Sequence, residues 1–99
     1  MAIADEKYVV VTVDGVSARA RVVPLSDGRL ALCPADDIVT DGQSVTVRAV
    51  RPDSPELTAT AAVVRSGRAF DETRAKIRRK YGRRSRASHL EAVVLLRLD

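Results

Sequence analysis

Apolar and polar positions alternate with a period of two along most of this chain. In Val16–Val22 the small apolar set Val16, Ala18, Ala20 and Val22 interleaves with Ser17, Arg19 and Arg21. That places one set toward a core and the other outside a strand. Ser44–Val50 repeats the pattern, with Val45, Val47 and Ala49 opposite Thr46 and Arg48, and Leu57–Val64 is rich in β-branched and small residues. Asp14-Gly15, Asp27-Gly28 and Asp41-Gly42 punctuate the first half. Asp-Gly between alternating runs marks hairpin turns, where the backbone needs positive φ. Tyr8–Val13, Val16–Leu25 and Arg29–Cys33 therefore predict a meander of antiparallel strands. The acidic stretch from Pro34 to Asp41 is irregular, Pro52-Asp53-Ser54-Pro55 is a turn, and Ser66-Gly67 ends the fifth strand.

The period then lengthens. Phe70, Ile77 and Tyr81 fall on one narrow face at helical spacing, with Arg74 beside it and Lys76, Arg78, Arg79 and Lys80 around the remaining circumference. The pattern predicts a helix beginning near Asp71, with Asp71 and Glu72 at the positive end of its dipole and Gly82 as its closing residue. A basic loop, Arg83–Ser88, leads to an apolar final strand within Glu91–Leu98. Six strands at close spacing suggest a barrel, which leaves no sheet edge exposed. The expected fold is mainly β, a six-stranded barrel with one basic C-terminal helix before the last strand. Residues 1–99 form one domain.

Composition sharpens this picture. The apolar residues are mainly Val, Ala and Leu, and Tyr8, Phe70 and Tyr81 are the only aromatics. A tight core of small side chains follows. A domain of this size buries about 60–70% of its unfolded surface, so sharing apolar area in a homodimer is expected. No apolar run approaches the roughly 18 residues of a membrane span, and no secretory apolar region follows Met1. With a single Cys33 there is no internal disulfide, and the expected compartment is the reducing cytoplasm. Charge is unevenly divided. Residues 1–50 carry five Lys/Arg against seven Asp/Glu, whereas residues 51–99 carry twelve against six. Eight of those bases lie between Arg74 and Arg86, a positive field that attracts phosphates.

Most catalytic chemistry is not indicated. Metal sites need several convergent ligands, and the chain has one His and one Cys. Cys33 reads as a buried small apolar residue ending a strand. Ser88 and His89 would point to opposite faces of an extended strand, so they form no nucleophile–base pair. Asp36, Asp37 and Asp41 lack the ligand spacing of a calcium loop and read as turn formers. No glycine-rich nucleotide motif occurs.

Two basic features remain. The Arg74–Arg86 stretch reads as a solvated helix face or as a sequence-independent phosphate contact to nucleic acid. Small barrels that bind nucleic acid usually add aromatic stacking platforms, and the strands here offer Tyr8 alone. Arg19 and Arg21 share one strand face, with Arg48 on a later strand. Planar guanidinium forks in that arrangement make a cradle for a phosphate or carboxylate, the other reading being a solvent-exposed face.

Taken in order, these segments resemble the pyridoxamine-5′-phosphate-oxidase-like split β-barrel family, in particular its deazaflavin-dependent branch. Tyr8-Val-Val-Val-Thr-Val-Asp-Gly15 looks like its first strand and hairpin, and Ser17 to Asp27-Gly-Arg-Leu30 like its second and third strands. Arg74-Ala-Lys-Ile-Arg-Arg-Lys-Tyr-Gly82 followed by Val93-Val-Leu-Leu-Arg-Leu98 looks like its closing helix and strand. The resemblance implies a split barrel that pairs as a homodimer, with FMN or the deazaflavin coenzyme F-420 in grooves at the subunit interface. Members transfer hydride or carry the cofactor, which supplies the hard chemistry. Here Cys33–Gly42 stands where the family usually has a helical segment gripping the cofactor phosphate. The resemblance therefore implies either a flavin- or deazaflavin-dependent oxidoreductase that binds through Arg19, Arg21 and Arg48, or a pared-down member with no cofactor. The alternative function is a non-enzymatic basic barrel that contacts nucleic acid or serves as a structural dimer.

Overall fold

The computed structural model describes residues 3–33, 38–51, 53–82 and 92–98. A 3₁₀ turn, Ile3–Asp5, precedes six strands and one helix: β1 (Tyr8–Val13), β2 (Val16–Pro24), β3 (Leu30–Cys33), β4 (Ser44–Ala49), β5 (Leu57–Val64), α1 (Arg68–Tyr81) and β6 (Val93–Leu98). The strands close into an antiparallel barrel in the order β1-β2-β3-β6-β5-β4. The alternation in the sequence settles which residues enter it. Val9, Val11, Val13, Ala20, Val22, Leu30, Leu32, Val45, Val47, Ala59, Ala61, Val94 and Leu96 fill the interior. All are aliphatic, as the Val/Ala/Leu composition requires. Asp14 and Gly15 close the first hairpin with φ of 51° and 81°, the two positive values of a type I′ turn.

A second core lies outside the barrel. Val23, Leu25, Ala31, Cys33, Val93 and Leu95 pack against Phe70 and Ile77 of α1. Strands β3 (Leu-Ala-Leu-Cys) and the first four residues of β6 (Val-Val-Leu-Leu) are therefore buried on both faces, and they read as continuous apolar runs rather than alternating ones. Phe70 and Ile77 are buried and Tyr81 is half-buried, on the face expected for them. Thr73 completes that face, fully buried, with its hydroxyl donating to the Ala69 carbonyl at 2.7 Å.

The helix starts three residues before the expected position, at Arg68. Gly67, at φ 100°, turns the chain out of β5, and its carbonyl already accepts the Asp71 N–H at 3.0 Å. Asp71 thus sits within the first turn instead of opening it. Gly82 ends the helix at φ 92°, its N–H donating to the Arg78 carbonyl.

The register leaves β2 longer than its neighbour. β1 begins at Tyr8, which pairs with Arg21, so Val22–Pro24 run past it while still pairing with β3. Their backbone groups on the β1 side need other partners, and α1 provides them. The Val22 N–H donates to the Tyr81 hydroxyl at 3.0 Å, and the Val22 carbonyl accepts from Lys80 Nζ at 2.8 Å. The Pro24 carbonyl accepts from Lys76 Nζ at 2.6 Å. Pro24 shares the side of Val22, so its missing N–H removes no bond to β3.

The expected Arg83–Ser88 loop, His89, Asp36 and Asp37 lie outside the described residues. Asp41 is a turn former, its carboxylate accepting the Val63 N–H at 3.0 Å. No described helix is long and apolar enough to cross a membrane.

Candidate functional site

Strand register fixes where the three expected arginines stand. Arg19 and Arg21 alternate with the interior Ala20 and Val22, so both point outward from β2. Val10 of β1 pairs with Arg19 on one side and with Arg48 of β4 on the other. Arg19, Val10 and Arg48 therefore form one row across three strands, its ends about 10 Å apart at two inter-strand spacings. Tyr8 and Arg21 form the next outward row. On the other side of the arginine row, Ser17, Thr12 and Thr46 make a row of hydroxyls, with Thr12 and Ser17 hydrogen-bonded at 2.8 Å. The structure brings all three arginines onto one outer face.

Aromatic rings orient two of them. The Arg19 guanidinium lies 5.8 Å from the centroid of the Tyr8 ring, and the Arg21 guanidinium 5.6 Å from that of Tyr81. The two rings are 6.2 Å apart. Such cation–π contacts contribute about 0.5–1 kcal/mol at exposed sites and leave the N–H donors at the guanidinium edge available. Tyr81 is held in place by accepting from Val22 and donating to the Lys7 carbonyl. Burial raises its pKa above the ordinary 10.0, so the hydroxyl keeps its proton at neutral pH.

Charge compensation separates these arginines from several others. Arg29 is bridged to Asp27 at 2.6 Å and Arg51 to Glu6 at 2.7 Å. Among the described residues, Arg19, Arg21 and Arg48 form no ion pair. Arg48 donates only to the Ala49 carbonyl beside it, and the buried Nε of Arg21 has no hydrogen-bond partner. Guanidiniums without ion pairs on one outer face suit an anion with several acceptor oxygens.

The basic helix is a different matter. Of its expected circumference of free cations, Lys76 and Lys80 are committed to β2 carbonyls, and Lys80 also donates to the Glu6 backbone carbonyl at 2.6 Å. Burial lowers the Lys80 pKa, with Asp5 and Glu6 opposing that shift. Arg74 lies against the Phe70 ring at 5.9 Å. Arg78 and Arg79 stay exposed, whereas Arg83, Arg84 and Arg86 lie outside the described residues. Sequence reasoning missed the anchoring role of Lys76, of Lys80 and of Glu72, whose carboxylate accepts the Ser26 N–H at 2.8 Å and the Ser26 hydroxyl at 3.0 Å. Their i, i+4, i+8 spacing makes one stripe next to the apolar face, and that was the available signal. Cys33 is buried beneath α1, and the described residues hold no cluster of metal-ligating side chains.

Comparison with protein-family models, with curated proteins and with solved structures finds no match for this chain.

Proposed function

We propose that the protein is a split-barrel module of the pyridoxamine-5′-phosphate-oxidase-like type that holds a phosphate-bearing redox cofactor, FMN or the deazaflavin coenzyme F-420, on its Arg19/Arg21/Arg48 face. The observation that carries this reading is the convergence on one outer face of β2, β1 and β4 of three arginines that have no carboxylate partner among the described residues. Arg19 and Arg48 approach a phosphate from either side of Val10, and Arg21 adds donors from the neighbouring row. Tyr8 stands beside them as an apolar surface for the ring system. The bound cofactor would supply the hydride chemistry, and the protein's part is to fix the phosphate and orient the ring. Homodimer formation belongs to the same proposal. Helix α1 packs against residues of β2, β3 and β6, and a second subunit on the outer face of β1 and β4 would form a groove with it.

The test is a fluorescence titration with FMN and with coenzyme F-420 at low and moderate salt. We expect saturable binding of one cofactor per subunit. Arg19→Ala, Arg21→Ala and Arg48→Ala should each weaken it about tenfold, the loss of one charge-assisted contact. Unchanged affinity in all three variants would remove the assignment. Steeply salt-dependent binding to single-stranded DNA in place of either cofactor would favour the nucleic-acid alternative.

A further inference from the structure

We propose that Arg29 and Arg97, at the end of β3 and β6 away from that face, form a binding site for a small monocarboxylate with a compact apolar body. The Leu30–Leu96 pair ends the β3–β6 ladder, and one step further the same register sets Arg29 opposite Arg97. Like charges directly opposite across a sheet are destabilising. Asp27 offsets one of them. Its Oδ2 accepts Arg29 Nε at 2.7 Å and contacts Nη2 at 2.6 Å, and its Oδ1 accepts the Arg29 N–H at 3.0 Å. These bonds hold the Asp27 carboxyl below its ordinary range, and they fix the Arg29 fork through Nε and Nη2. Arg97 is exposed and has no such partner among the described residues.

The pair divides two adjoining hollows. A cavity of about 440 Å³ is lined by Asp27, Gly28, Arg29, Arg97 and Leu98. A smaller one of about 170 Å³ is lined by Arg29, Thr60, Ala61, Ala62, Leu95 and Arg97. In the smaller hollow Thr60, the register partner of Arg97, offers a hydroxyl, and the half-buried Ala62 offers apolar surface beside the buried Leu95 with which it pairs. The hollow thus joins cationic donors and a hydroxyl to a short aliphatic wall, the complement of a carboxylate carrying a few carbons. Arg29, Arg97 and the ionised Asp27 together leave one positive charge, matching a monoanion. A phosphate dianion would meet the Asp27 carboxylate.

Amide chemical shifts of ¹⁵N-labelled protein test this with 4-methylpentanoate, its neutral amide and inorganic phosphate as probes. We expect the carboxylate to give saturable shifts at Gly28, Arg29, Thr60 and Arg97. Affinity should fall about tenfold in Arg97→Gln, as for loss of a charge-assisted hydrogen bond, and less in Thr60→Val. Both positions are exposed, so each variant should keep the wild-type spectrum elsewhere. Arg19→Ala and Arg48→Ala should leave this binding unchanged, which separates it from the cofactor reading. The proposal is overturned by absence of saturable shifts, by equal affinity in Arg97→Gln, by equal binding of the neutral amide, or by tighter binding of phosphate.

Discussion

Tyr81→Phe removes one oxygen and tests how α1 is fastened to the barrel. That hydroxyl accepts the Val22 N–H at 3.0 Å and donates to the Lys7 carbonyl, in a half-buried position where β1 no longer covers β2. Phenylalanine keeps the ring, and with it the contacts to Tyr8 and Arg21. The cost is therefore that of the hydrogen bonds. Two net contributions of about 0.5–1.5 kcal/mol each, with the Val22 N–H left partly shielded from water, give about 2 kcal/mol. For a domain of this size the corresponding drop in Tm is roughly 8–16 °C. Thermal and urea unfolding followed by circular dichroism would measure it. Hydrogen exchange would locate it, with the Val22 amide accelerated while the barrel-interior Val11 amide moves only with global stability. A loss under about 0.5 kcal/mol, with Val22 protection unchanged, would refute the reasoning. It would mean that water caps the overhang as well as the helix does.

Four further outcomes follow from the same structure. Ile77→Ala, at a fully buried position of the outer core, should cost about 2–5 kcal/mol and lower the urea midpoint without changing the barrel strands. Gly15→Ala meets no neighbouring atom, but it forces a side chain to φ 81°; it should cost about 1 kcal/mol by chemical denaturation, from the backbone alone. Glu72 has its pKa lowered from 4.5 by Lys76 and then by Ser26. Its stabilisation is present above that unfolded value and is lost as pH falls through the folded one, so Glu72→Gln should flatten the acid limb of a stability–pH curve. At alkaline pH, Tyr81 and Lys80 oppose each other. The raised Tyr81 pKa gives stability that is present below 10.0 and lost above it, whereas the lowered Lys80 pKa makes stability rise with pH up to 10.5. Lys80→Met should therefore steepen the alkaline loss, and Tyr81→Phe should abolish or reverse it.

Period-two alternation carried nearly all of the barrel. The limits of β1 and β5 agree with the pattern, and the other strands differ at their ends by a residue or two; in β2 and β4 the strand stops before the apolar run does, at Leu25 and Val50. Leu25 continues the apolar run of β2 but turns into the outer core, because the Ser26–Asp27–Gly28 turn begins there, its Gly28 N–H donating to the Leu25 carbonyl. The helix start was misplaced because Asp71 carries a cap-like side chain, while Gly67 redirects the backbone four residues earlier. The Arg19/Arg21 face was legible from i, i+2 spacing. Arg48 was grouped with them from its outward place on a later strand, but the row it joins was not legible, since only the β1–β4 register sets it across Val10 from Arg19, and register depends on closure of the whole ring. The use of Lys76 and Lys80 as backbone anchors was hidden for a related reason. A lysine on a helix reads as solvated until a strand is known to overrun its partner beneath it.

Strand β2 joins the fold to the proposed site. Its inward residues, Ala20 and Val22, belong to the barrel interior, and its outward ones, Arg19 and Arg21, form the cationic face. Its unpaired backbone at Val22 and Pro24 is held by α1. The same Tyr81 that accepts from Val22 presents its ring to Arg21, so the anchoring of the helix and the placement of the guanidinium share one side chain. Displacing α1 would expose the β2 edge and release Arg21 in a single motion. Any ligand held through Arg21 would for that reason stabilise the helix as well as the strand beneath it. The face can therefore be read through stability: a ligand on it should slow exchange at the Val22 amide, a group it does not touch.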